Sequence, residues 1–134
     1  MIKNINIVKS KFNRIKQDFF KTDLFENLEN NIQQQLNSNI SYLDNEIPVL
    51  GYFSSIDKFW VLTDFRLITN FTKVLLDDIE KIEIPEIFIE GKSNYECNSV
   101  QIIKKDNTDF KLSLENSTWY VVFNVLQFVI REKT

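Results

Sequence analysis

Apolar positions recur at helical spacing through the first third of the chain, and most of the rest reads as short strands separated by turns, before a closing helix. Val8, Phe12, Ile15 and Phe19 form one helical stripe; Leu24, Leu28, Ile32 and Leu36 form another. At about 100° per residue the two stripes point in roughly opposite directions, so one straight helix would carry two opposed apolar faces. A break near Thr22-Asp23 resolves this, with Asp23 capping a second helix and Glu26 completing a capping box. Residues 1–43 are therefore expected to be a helical segment of two short helices, followed by a second unit over 44–134.

From Ile47 the character changes to strands, with Ile82 and Ile84 alternating with Glu83 as in a half-buried strand. Strands are predicted over 47–55, 59–63, 66–69, 73–76, 79–90, 99–105 and 109–114. Pro48 sits near a strand start, where a missing N–H is tolerated, and Pro85 is expected to bend the fifth strand before Ile87 and Ile89 resume its alternation. Asp64-Phe65, Asn70 to Thr72 and Asp106-Asn107-Thr108 supply turns, with a loop at 91–94. Asn116 or Ser117 is expected to cap a last helix reaching about Arg131. Seven short antiparallel strands and a closing helix predict a mainly β domain, a barrel or sandwich.

In that helix Trp119, Val122, Phe123, Leu126 and Ile130 share the face that would plug the barrel mouth. Val121, Val125 and Phe128 make its flank apolar too, which demands a cover: the N-terminal helices or another copy of the chain. These three residues are the candidate interaction surface, and they keep a homo-oligomer open.

Composition narrows the function classes. The 134 residues are 43% hydrophobic and 26% charged, enough for a real core, and the net charge of −3 argues against nucleic acid as partner. Lys3, Lys9, Lys11, Arg14, Lys16 and Lys21 crowd the start, whereas 22–46 carries only acidic charges. A basic amphipathic helix can lie on an anionic membrane, but these side chains scatter around the helix, which disfavours that reading. The apolar run Trp119 to Ile130 is too short to span a bilayer, no signal peptide is evident, and Cys97 stands alone. A reducing, cytoplasmic location is expected.

Chemistry is sparse. Without histidine the chain lacks the commonest general base and zinc ligand, and Gly51 and Gly91 are too far apart for a phosphate loop. No catalytic, metal or cofactor-binding set is assigned. Asp77, Asp78, Glu80, Glu83, Glu86 and Glu90 read as a solvated face rather than an acid/base pair. Asp106, Asn107 and Asp109 lack the glycine and closing glutamate of a calcium loop. Arg66 is the charge that stands out. Together with Lys58 it is the candidate anion contact; structurally, it is expected to pair with a nearby carboxylate such as Asp64 or Asp78 and hold a turn.

Residues 43–132 resemble bacterial PH-like domains of the YokE-like or GRAM-like kind. The likeness rests on Leu43-Asp44-Asn45-Glu46 before the first strand, Trp60-Val61-Leu62-Thr63-Asp64-Phe65-Arg66-Leu67-Ile68, and Leu75-Leu76-Asp77-Asp78-Ile79-Glu80-Lys81-Ile82. The hairpin around Asp106-Asn107 and the closing helix complete it, and the N-terminal segment has no counterpart in that family. The resemblance implies a seven-stranded, strongly bent antiparallel barrel capped by a C-terminal helix, with no catalytic residues. Phosphoinositide-binding relatives place several basic residues between the first two strands; here 54–58 carries Lys58 beside Asp57, which disfavours headgroup binding. The expected function is a non-enzymatic module that binds protein. A peripheral membrane module using the basic helix, and an enzyme built on carboxylates, are the alternatives.

Overall fold

The computed structural model describes residues 1–18, 20–84 and 98–132. Helix α1 (Ile5–Ile15) starts where the Asn4 carboxamide oxygen accepts from the N–H groups of Asn6 (3.1 Å) and Ile7 (3.3 Å), satisfying two donors that a first turn leaves open. The second helix does not start at Asp23 as expected. Asp23–Leu24 is strand β1, paired antiparallel with Leu50 and Gly51, and the Asp23 carboxylate accepts from Leu24 N–H (2.7 Å). Backbone groups committed to a sheet edge are not free to open a helix. A 3-10 turn at Phe25–Asn27 follows, and α2 runs over Asn30–Asn39.

The strands are β2 (Pro48–Ser55), β3 (Lys58–Thr63), β4 (Arg66–Thr69), β5 (Lys73–Leu75), β6 (Ile79–Glu83), β7 (Ser99–Lys104) and β8 (Asp109–Ser113), and α3 (Trp119–Glu132) follows. They form two antiparallel sheets, one in the order β1-β2-β3-β4-β5 and one in the order β6-β7-β8. The barrel expected from the sequence is not closed: β5 is only three residues long, and a 3-10 turn at Leu76–Asp78 carries the chain from it into the second sheet. Phe19, Pro85, Ile87, Ile89, the loop at 91–94 and Cys97 lie outside the described residues.

At β3 the five-stranded sheet is buried on both faces. Along β3, Trp60 and Leu62 enter the larger core, and Phe59 and Val61 a second one with Leu36 of α2, so the period of two feeds two different clusters. The Trp60 indole N–H has no partner among the described residues, so Trp60 is held by its volume. The larger core joins Val8 and Phe12 of α1, Leu24, Ile102, Leu112 and the α3 residues Val121, Val122, Val125 and Leu126. Residues on both sides of position 43 thus share one interior. The first helical bond of α3 runs from Val122 N–H to Thr118 (3.0 Å), which puts Thr118 at the N-cap in place of the expected Asn116 or Ser117. Just before it, the Glu115 carboxylate accepts from Lys21 N–H, Thr22 N–H and the Thr22 hydroxyl at 2.8–2.9 Å, fastening the N-terminal segment to the start of α3. No helix among the described residues is long and apolar enough to cross a membrane.

If α1 is part of this core, Phe12→Ala should cost about 3–5 kcal/mol in urea unfolding, and Ile7→Ala on its exposed face within about 0.5 kcal/mol. Equal effects would mean that α1 does not dock.

Candidate functional site

The densest polar constellation is built at the turn between β3 and β4. Thr63 ends β3, and its hydroxyl oxygen accepts from the N–H groups of Phe65 (3.1 Å) and Arg66 (2.8 Å), closing the turn on itself. Glu46 arrives from the other side. Asn45 takes a left-handed backbone (φ 64°), which asparagine tolerates, and so carries the chain back toward this turn. The Glu46 carboxylate then receives a two-pronged contact from Arg66, Nε at 2.9 Å and Nη2 at 2.7 Å, together with the Thr63 hydroxyl (2.6 Å) and Leu43 N–H (2.8 Å). Arg66 Nη2 also donates to the Ser41 carbonyl (3.0 Å).

Both charges are buried, with the Glu46 side chain fully out of solvent and that of Arg66 7% exposed. Burial alone would raise the Glu46 pKa. The hydrogen bonds from Arg66, Thr63 and Leu43, with the positive charge of Arg66, outweigh it and hold the carboxyl below its ordinary 4.5. Hydrogen bonding to Glu46 raises Arg66 further against the opposing effect of burial. Beside them, burial and the Glu46 charge push the Tyr42 phenol up to about 12, partly offset by Arg66.

The partner of Arg66 is thus neither of the carboxylates expected. The Asp64 side chain accepts from Ile47 N–H (2.8 Å), and Asp78 lies beyond β5. Glu46 precedes Arg66 by 20 residues, and no local pattern relates the two. Nor do Lys58 and Arg66 make a joint anion contact. They start adjacent antiparallel strands at opposite ends, roughly 15–20 Å apart at 3.3 Å per residue. Lys58 borders a separate, smaller pocket of about 240 Å³ with Phe59, Asn70 and Phe71.

The expected interaction surface on α3 is also covered from within. Val121 and Val125 are 0% exposed and join the core containing Val8 and Phe12; Phe128 is half-buried, with Lys11 Nζ 5.4 Å from its ring centroid. Gln17 donates to the Tyr120 hydroxyl (3.2 Å) across the same contact. The N-terminal helix supplies the cover that the sequence demanded, so Val121 and Val125 offer no free face and Phe128 only part of one.

What the sequence reading missed is an open cleft of about 610 Å³ where the sheets fail to close. Its lining joins Lys73, Val74 and Leu75 of β5 and Leu43 to Asp78 and to Lys104, Lys105 and Asp106 at the β7–β8 turn. Leu43 (47%) and Leu75 (45%) are among the most exposed large apolar side chains. Arg66 reaches the wall, but its charge is met by Glu46. Among the described residues that leaves three lysines against two aspartates, a positive surplus in a chain of net charge −3. Asp106 is further turned onto its own hairpin, accepting from Thr108 N–H (2.9 Å) and the Thr108 hydroxyl. The unlike sequence positions of Leu43, Leu75 and Lys104 gave no signal of this grouping. Compared with known proteins, the chain matches no family model, curated protein or solved structure.

Breaking the buried pair from either side, as Glu46→Ala or Arg66→Ala, should cost about 3–5 kcal/mol. The double replacement should cost clearly less than the sum in a double-mutant cycle, since neither charge is then stranded. The folded state lowers the Glu46 pKa, so the stability it contributes is complete above 4.5 and is lost as the pH falls through the lower folded-state value. Glu46→Gln should therefore flatten the acid dependence of the urea midpoint in that window. At the other extreme, Tyr42→Phe should remove a tyrosinate absorbance step near pH 12. The Tyr42 phenol is raised, so its contribution is present below its ordinary value of 10 and fades as the pH rises toward 12.

Proposed function

We propose that this protein is a non-enzymatic, protein-binding module of the PH-like type, whose binding surface is the cleft between β5 and the β7–β8 turn. The order of β2 to β8 followed by a closing helix supports the PH-like reading, although β1 and α1 are additions to that plan. One observation carries the binding surface: a cleft of about 610 Å³ that sets two exposed leucines among three lysines. Exposed apolar side chains inside a concavity contribute affinity when covered, and a surplus of one sign selects an oppositely charged partner. The ligand is accordingly an acidic protein segment that brings an apolar side chain.

The polar constellation at Glu46 supports the same reading, because its carboxylate and guanidinium are spent on each other and on the backbone. The lysines of α1 and the one that follows it are engaged too: Lys9 pairs with Glu26 (2.8 Å), Lys16 with Asp23 (3.6 Å), and Lys11 lies over Phe128. A membrane-facing α1 would have to give these contacts up.

The test is anisotropy of a labelled, capped peptide of repeating Glu-Glu-Val-Val, which sets glutamate and valine two positions apart on each face of a strand, against the wild type and Lys104→Glu/Lys105→Glu. Binding that weakens about tenfold or more in the double variant and falls with added salt is expected. No binding by the wild type, or equal binding by the variant, would sink this reading.

A further inference from the structure

The register of β5 says how such a segment would be held. Thr69 N–H donates to Thr72 (2.7 Å) and Leu76 N–H to Phe65 (2.8 Å), and Leu67 stands opposite Val74. Hydrogen-bonded pairs alternate along an antiparallel ladder, so Phe65–Leu76, Leu67–Val74 and Thr69–Thr72 are the bonded ones. Lys73 and Leu75, opposite Ile68 and Arg66, therefore turn their N–H and C=O groups away from β4. Those groups look onto the cleft, because β5 is the last strand of its sheet and lines that cavity. Among the described residues nothing pairs with them. Two residues at spacing i, i+2 with outward donors and acceptors are the repeat unit to which another strand adds.

Resting on the cleft as the binding surface, we propose that the partner binds by strand addition: an extended acidic peptide pairs with β5 as a sixth strand. Its backbone bonds to Lys73 and Leu75, an apolar side chain sits against Leu43 and Leu75, and acidic side chains meet Lys73, Lys104 and Lys105. About five residues suffice, since a strand of that length runs about 16 Å. An exposed edge also invites indiscriminate pairing, and the shortness of β5 and Lys73 on its rim both blunt that. The same lysine favours a partner of opposite charge, so protection and selection act through one side chain.

Leu75 provides a clean test. Its backbone (φ −66°, ψ 139°) already matches proline, and Val74 before it is extended, as a residue preceding proline must be. Leu75→Pro removes the outward N–H without touching the bonded pairs on either side; Leu75→Ala removes the side chain alone. With the glutamate–valine peptide as probe, Leu75→Pro should bind about tenfold more weakly than Leu75→Ala, the two having thermal midpoints within a few degrees of each other. On peptide binding, hydrogen exchange at the Lys73 and Leu75 amides should slow in the wild type. If Leu75→Pro binds as Leu75→Ala does while Lys104→Glu/Lys105→Glu abolishes binding, the cleft stands and strand addition falls. If inorganic phosphate or anionic vesicles displace the peptide and bind Leu75→Pro and Leu75→Ala equally, the cleft is an anion patch and strand addition falls again. If the wild type does not bind the peptide at all, both ideas fall together.

Discussion

The buried pair of Glu46 and Arg66 is the contact on which the rest of the described structure depends. Neither charge can stay in a dry interior without the other, so the segment between α2 and β2 has one acceptable position against the β3–β4 turn. A hydrophobic pair of similar volume could match its stability, but would leave that segment free to slide. The fork geometry, with the Thr63 hydroxyl and Leu43 N–H filling the remaining acceptor directions, removes that freedom. Because Leu43 is held through its backbone, its side chain is set at the rim of the cleft rather than folded onto α2. A polar contact that does no chemistry thereby shapes the surface where binding is proposed.

Two cores meet across one sheet. The larger holds α1, α3 and the second sheet together; the smaller closes α2 over the opposite face through Leu36, Phe59, Val61 and Ile68. The N-terminal segment takes part in both, by α1 and Leu24 in one and by Leu28 and Leu36 in the other. Glu115 ties that segment again through three backbone and side-chain donors before α3 begins. It is integral to the interior.

The cleft follows from an incomplete closure. With β5 limited to three residues and a 3-10 turn diverting the chain, no described strand covers the edge of the first sheet beside the β7–β8 turn. A closed barrel would have covered Lys73 and Leu75 with a neighbour, so the outward groups of β5 and the concavity have one cause.

Much of the chain was legible locally. Short apolar runs bounded by turn residues placed β2 to β8 within a residue or two, up to Glu83, and the stripe Val8-Phe12 marked the buried face of α1, because these signals lie within a few residues of each other. Asp23 misled because a good capping residue is also compatible with an edge strand, and pairing with Leu50 and Gly51 decided between them. The apolar flank of α3 was read correctly as needing a cover, but which element supplies it is a matter of packing. The sequence by itself determined the periodicities, the turn residues and the absence of a histidine. Only the tertiary structure chose Glu46 for Arg66, left the outer edge of β5 without a partner among the described residues and gathered Leu43, Leu75 and Lys104 around one cleft. Those choices are made by contacts between distant segments competing for the same buried space, and no spacing along the chain encodes them.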